Sequence, residues 1–197
     1  MEFRFVEVRD QALLDRVLRF RYEVWCVEKP ILDSECYPDG REKDNYDDYA
    51  DHFAVLDEND EVCATVRLIH HSPLGYPTAN YLEFDNTLYS TNVNKVAELS
   101  RIFIAPKNRN MKETKVIIQG LIRQQIYFKL REYGIDFTYG ALEKGFQKLL
   151  KIFKVPYTIL GDAKEYYGGQ RHPCIMNTID LEKNNPDLPE LYKAHHV

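Results

Sequence analysis

The chain predicts a mixed α/β fold, a central mixed sheet flanked by helices, and three observations carry that reading. Apolar runs of strand length recur from end to end, an amphipathic helix follows the first of them, and a long helical stretch at about 113–133 separates strands at 96–105 and 135–141. A helix that crosses over between two strands makes them parallel neighbours. With 197 residues and 44% hydrophobic content, the chain can bury one substantial core, so 1–197 reads as a single domain with 181–197 as a candidate C-terminal tail.

"FRFVEV" opens as a strand, and residues 11–25 follow as a helix with Leu14, Leu18, Tyr22 and Trp25 on one stripe. Residues 26–50 are polar and turn at Pro38-Asp39-Gly40. "DHFAVLDENDEVCATVRLIHH" is a hairpin folded about Asp57-Glu58-Asn59-Asp60. A second long loop spans 71–94. "IDFTYGAL" predicts a strand, 143–154 a short helix, and "PYTILG" and "CIMNTIDL" a last strand pair. Loops of 25 and 24 residues are uncommon in a compact domain and are more often functional than accidental.

The segment "VAELSRIFI", 96–104, is apolar on both faces yet carries Glu98 and Arg101. Strict alternation puts Glu98, Ser100, Ile102 and Ile104 on one face, and Leu99, Arg101 and Phe103 on the other. Arg67 interrupts another two-faced apolar strand, and Arg21 lies on or beside the helix stripe. A guanidinium removed from water requires a carboxylate or phosphate partner. Glu98, Asp44 and Asp47 are the candidate carboxylates for Arg21, Arg67 and Arg101, and three of each sign could close one neutral network.

The net charge of −5 conceals an asymmetry. Residues 1–100 hold 10 Lys and Arg against 21 Asp and Glu, whereas residues 101–154 hold 12 against 4. A basic segment of that kind suits a negative partner. Nucleic acid is not expected, because the chain is acidic and shows no binding motif. No apolar run approaches ~18 residues, so neither a transmembrane segment nor a signal peptide is expected. Cys26, Cys36, Cys63 and Cys174 lack metal-ligand spacing and read as reduced thiols of a cytoplasmic protein, with no metal site. His52 reads as a packed residue; His70-His71 and His195-His196 read as surface pairs.

Five motifs in order carry a resemblance: Arg21, Val24 and Trp25 at a helix end; Asp44, Tyr46 and Asp47; the strand arginine Arg67; Glu98-Leu-Ser-Arg101; and the late "YYGGQRHP". Over residues 17 to 180 the chain resembles the acyl-homoserine-lactone synthases and N-acyl amino acid synthases of the GNAT-like superfamily. Within these, the stretch beginning "VWCVEKPILDSECYPDG" looks most like acyltransferases associated with PEP-CTERM/exosortase systems. The resemblance implies a sheet splayed in a V at strand 96–105, with the pantetheine arm of an acyl thioester along Ile102, Phe103 and Ile104. It also implies Glu98 as the base in a Glu98, Ser100, Arg101 catalytic set, or else a Glu98 that only neutralises an arginine. Arg21, Trp25, Asp44, Asp47 and Arg67 would then shape the acceptor site.

The expected reaction moves a fatty acyl group from a thioester to a small amine, an amino acid foremost, without a tightly bound cofactor. The loop after the strand, "APKNRNMKET", has no glycine where CoA-dependent members have a glycine-rich one. Its Lys107, Arg109 and Lys112 suit a single phosphopantetheine phosphate, which favours acyl carrier protein over acyl-CoA. Lys144, Lys148 and Lys151 form one helical stripe that an acidic carrier could dock against. The alternatives are lactone synthesis, for which a second tryptophan after the first helix is missing, and a catalytically silent domain that binds an acyl carrier.

Overall fold

The computed structural model describes residues 2–85, 87 and 93–195. Strand β1 (Arg4–Glu7) leads into helix α1 (Gln11–Tyr22), whose first turn is capped by Asp10 accepting the Leu13 N–H at 2.8 Å. The helix does not stop at Tyr22. It continues as a π-helical turn over Glu23–Glu28, in which the Lys29 N–H reaches the Val24 carbonyl five residues back. Such wide turns concentrate at functional sites, and this one carries Trp25.

Strands β2 (Ala50–Leu56) and β3 (Val62–His70) form the hairpin read from the sequence. The Asp57 side chain holds its turn by accepting the N–H groups of Asn59 and Glu61. The short helix α2 (Pro77–Tyr81) lies in the second long loop, part of which falls outside the described residues. Strand β4 (Val96–Ile104) is followed by α3 (Met111–Gly120), a π-helical turn at Leu121–Ile126 and α4 (Tyr127–Glu132), so the long crossover helix contains a wide turn that periodicity did not reveal. Strand β5 (Phe137–Leu142) then runs parallel to β4, as the crossover required.

Helix α5 (Lys144–Ile152), β6 (Thr158–Ile159), β7 (Lys164–Glu165) and β8 (Gln170–Asn177) complete the sheet. Its order is β1-β2-β3-β4-β5-β8-β6, with β7 on β8. The strand expected at "CIMNTIDL" ends at Asn177, whose side chain caps helix α6 (Thr178–Asn184) by accepting the Ile179 N–H. Helix α7 (Leu188–His195) follows, and Leu181 and Leu188 are fully buried within the stretch that the sequence offered as a tail. His196 lies outside the described residues.

The main core packs Ile117, Ile118, Leu121, Ile122, Ile126 and Leu130 of the crossover helix against Phe53, Val55, Ala64, Val66, Ala97 and Leu99. Gly120 permits this approach: a Cβ there would sit 2.2 Å from the Phe5 ring. Smaller clusters on the opposite face of the sheet contain Ile69, Tyr76 and Tyr139, and then Trp25 with Phe103.

Two features shape what lies between β4 and β5. Their pairing is confined to Val96–Glu98 against Phe137–Tyr139, so the strands part beyond Glu98. In addition, β4 bulges against β3: Ser100 faces Arg67 and Phe103 faces Thr65, leaving one extra residue in β4. Arg101 occupies the bulge with φ +53°, a left-handed conformation that costs a non-glycine residue ~1–2 kcal/mol. One inserted residue reverses the facing of everything after it. Strict alternation therefore fails: Glu98, Arg101 and Phe103 share a face, while Leu99, Ile102 and Ile104 pack toward the main core.

Candidate active site

The splay opens a cleft of about 370 Å³ lined along β4 from Glu98 to Ile104 and, on the other wall, by Ala141, Leu142, Glu143 and Phe146. Trp25 and Ile31 also line it, and Tyr166, Tyr167 and Gly168 from the turn before β8, with Arg171 of β8 itself, form a lip. The volume suits a small ligand or a pantetheine-sized arm.

Beside the cleft, three arginines and three carboxylates close a ring. Arg21 donates to Glu42 at 2.6 Å and to both oxygens of Asp47 at 2.7 and 3.1 Å. Arg67 grips Asp44 at 2.6 and 3.1 Å and reaches Asp47 at 3.0 Å. Arg101 contacts Glu42 and Asp44, each at 2.8 Å. Every arginine bridges two acids and every acid bridges two arginines. The six formal charges cancel.

Glu98 is not a member. Its place in the expected network belongs to Glu42, which is completely buried. Glu42 and Asp44 both turn inward to the arginines, while Arg41 and Lys43 reach outward to Asp39 and Asp48. That alternation stands in "REKD", but a charge-rich loop gives no reason to bury one of its glutamates over its neighbours.

The ring sets its own acid limit. Burial alone would raise Glu42, but Arg101 and Arg21 hold its pKa at about 2; burial would likewise raise Asp47, which Arg21 and Arg67 hold well below the ordinary range. Carboxyls depressed in the folded state contribute stability that is present above their unfolded pKa near 4 and is lost as pH falls toward 2. Acid unfolding followed by circular dichroism should therefore steepen below about pH 4. Glu42→Gln should flatten that limb.

Arg101 is further held between aromatic faces, 4.3 Å from the Trp25 ring centroid and 5.2 Å from that of Tyr167. Tyr167 was not identified from the sequence, where it was one tyrosine among 14. Ser100 accepts the Arg67 Nε–H at 3.0 Å and so helps to orient the ring. His52 packs against Asp47 at 3.6 Å; burial lowers its pKa to about 4, which keeps it neutral.

Glu98 sits at the root of the splay, 2% exposed, and accepts the Thr78 N–H from α2 at 2.8 Å. Burial raises its pKa to about 7, against the opposing pull of that N–H and of Arg67 and Arg101. A carboxylate that titrates near neutrality is suited to exchanging protons with an amine.

Among the expected donor-binding residues, Ile102, Phe103, Ile104 and Arg109 line the cleft. Arg109 donates to the Ile104 carbonyl at 2.9 Å and meets both carboxylate oxygens of Glu28. Lys107 is drawn to Asp57 of the hairpin turn at 2.6 Å, and Lys112 is exposed on the first turn of α3. Lys144, Lys148 and Lys151 are all exposed on α5, whose Phe146 faces the cleft. The four cysteines are free, and burial pushes Cys63 up to about 11 and Cys174 up to about 12, which disfavours the nucleophilic thiolate. Among the described residues no group of His, Cys, Asp and Glu could hold a metal ion, and no helix is long and apolar enough to cross a membrane.

A central mixed sheet flanked by helices and split between β4 and β5 is the fold of a GNAT-type acyltransferase. Residues 20–119, just over half of the chain, match the family described as Acetyltransferase (GNAT) domain, and the chain belongs to that family. Among solved structures it is similar to TofI, crystallised in a ternary complex with an inhibitor and MTA: TM-score 0.66, 19% identity, 92% of this chain and 97% of that one covered. It is similar also to BjaI, a CoA-dependent acyl-homoserine lactone synthase, with TM-score 0.64, 18% identity and 95% and 89% covered. FeeM, an N-acyl amino acid synthase from uncultured soil microbes, gives TM-score 0.66 at 11% identity, with 93% and 94% covered. At these identities the likeness is one of fold. No curated protein sequence matches the chain.

Proposed function

We propose that this acyltransferase moves a fatty acyl group from the thioester of acyl carrier protein to the amine of a small acceptor, an amino acid. The observation that carries the proposal is Glu98: a buried carboxylate at the root of the split sheet, left out of the neutral ring, with a pKa near 7. The acceptor amine would attack the thioester carbonyl carbon and pass a proton to Glu98. The resulting oxyanion would meet the backbone edge of β4 that no β5 pairing occupies beyond Glu98. Collapse expels the thiolate, which takes the proton back from Glu98, so an amide and a free thiol are the products. Arg21, Asp44, Asp47, Arg67 and Arg101 with Glu42 hold this wall in shape, and Trp25 backs it.

Incubation with mixed acyl-carrier thioesters and an amino acid pool, read by mass spectrometry, tests the proposal; N-acyl amino acids are the expected products. An acyl-homoserine lactone formed from S-adenosylmethionine instead would favour the second reading, which the fold likeness to BjaI supports. Transfer to neither acceptor would leave the silent carrier-binding domain. The resemblance to exosortase-associated acyltransferases and the four free thiols fit a cytoplasmic enzyme of that branch.

The donor assignment rests on the glycine-free loop and on the lysine stripe of α5. Reversing Lys144, Lys148 and Lys151 to Glu should raise KM for acyl carrier protein and leave turnover at saturating donor nearly unchanged. Wild-type KM should climb with salt, since exposed charges are screened over about 8–10 Å near physiological ionic strength. Equal efficiency with acyl-CoA, together with an indifferent triple reversal, would remove the carrier protein from the scheme.

A further inference from the structure

Arg171 is a cation of the cleft that the ring and the proposed chemistry leave unused. It lies on β8, where Pro173 and Ile175 alternate with core-facing Cys174 and Met176; Ile175 belongs to the cluster of Tyr139 and Val96. Arg171 therefore shares the sheet face of Glu98 and Arg101, and all three line one cleft.

Its present partners are weak for a guanidinium that is only one-fifth exposed. Nε donates to the Tyr166 carbonyl at 2.9 Å and Nη2 to the Tyr167 carbonyl at 3.5 Å. Among the described residues its one ion pair is with Glu143, 3.4 Å away and itself more than half exposed, and Glu165 of β7 adds only a more distant negative charge. Among the described residues no hydrogen bond engages Nη1. Arg21, in contrast, is held by two buried acids and Arg101 by the buried Glu42 and the partly exposed Asp44, and Arg109 holds Glu28 with two bonds. Lys29 also borders the cleft but stands exposed at its rim. Burial lowers the Arg171 pKa, the direction of a cation short of counter-charge, whereas the acids around Arg21 and Arg101 raise theirs. Tyr166, whose carbonyl takes the Arg171 Nε–H, also lines the cleft.

A half-buried guanidinium with an open edge, facing the same space as Glu98, is built for an anion that enters with the acceptor. We infer that Arg171 reads the carboxylate of the acceptor, so that the site selects amines bearing a carboxylate over those without one, with Glu143 as the internal anion that the acceptor displaces. The inference rests on the acyl-transfer reading above and names the residue that fixes its acceptor class.

The test compares acylation of an amino acid with that of its own carboxamide at saturating acyl donor. Wild type should prefer the acid. Arg171→Gln should raise KM for the acid by roughly 10- to 100-fold, the value of a charge-assisted pair, while KM for the amide and KM for the donor stay in place. Arg171→Lys, which keeps the charge but not the fork, should retain part of the preference. Glu143→Gln should move the other way and lower KM for the acid, an effect that a merely structural Arg171 would not produce. If Arg171→Gln acylates both acceptors with the wild-type preference, or if Glu143→Gln weakens the acid, the assignment of Arg171 is wrong while the amino acid acceptor stands. If wild type acylates no amino acid at all, the acceptor reading falls and takes this inference with it.

Discussion

Arg101→Ala should melt well below the wild type, losing roughly 3–5 kcal/mol, because it leaves two acids of a closed ring without one of their two cations. Glu42 is fully buried and cannot recover its hydration; Asp44 is about one-quarter exposed and can do so in part. The variant also gives up the stacking on Trp25 and Tyr167, and it retains a left-handed backbone that the Arg101 contacts had stabilised. Breaking a buried pair is costlier than the pair was worth, so a double replacement of Arg101 and Glu42 by apolar residues of similar volume, which leaves Arg21, Arg67, Asp44 and Asp47 in balance, should be milder than the single change. Chemical denaturation of both variants measures this. A single variant that unfolds with the wild type would show that the ring does not support the fold. Activity should fall with Arg101→Ala as well, since the bulge at Arg101 places Glu98 and Phe103 on one wall.

Glu98→Gln should separate activity from stability. Turnover should drop by about 10²–10⁴-fold, the usual contribution of a positioned base. Stability should move in the opposite direction above neutrality, for a reason that fixes the sign. The Glu98 pKa is raised in the fold to about 7 from its ordinary value of 4.5, so between those values the folded chain binds more protons than the unfolded one. Stability from this group is therefore complete below about pH 4.5, declines as pH rises through 7, and is gone above it. Glutamine does not titrate and escapes that loss. The variant should gain about 3 kcal/mol relative to wild type at pH 8–9, and the two should converge near pH 4. The wild-type rate should rise with pH through an apparent pKa near 7. Full activity in Glu98→Gln, with no such inflection in the wild type, would return Glu98 to a packing role.

Much of this protein was legible in the order of its residues. Periodicity gave the hairpin at 50–70, the first helix and the parallel pair β4 and β5, because apolar spacing and a crossover helix are local properties of the chain. Three arginines inside apolar elements announced a buried ionic network, because a guanidinium cannot be buried unpaired. Tertiary structure alone decided who completed it. Glu42 and Glu98 are both glutamates with nothing in their local sequence to rank them, and their roles separate only when the 41–47 loop folds over Arg21 and Arg101. The same holds for the facing of β4. Alternation is a rule of regular strands, and the extra residue at Arg101 breaks it by a pairing with β3 that lies more than thirty positions away in the chain. The lip of Tyr166, Tyr167 and Arg171 likewise reaches the cleft only because β8 pairs with β5, a non-local contact that no window of sequence contains.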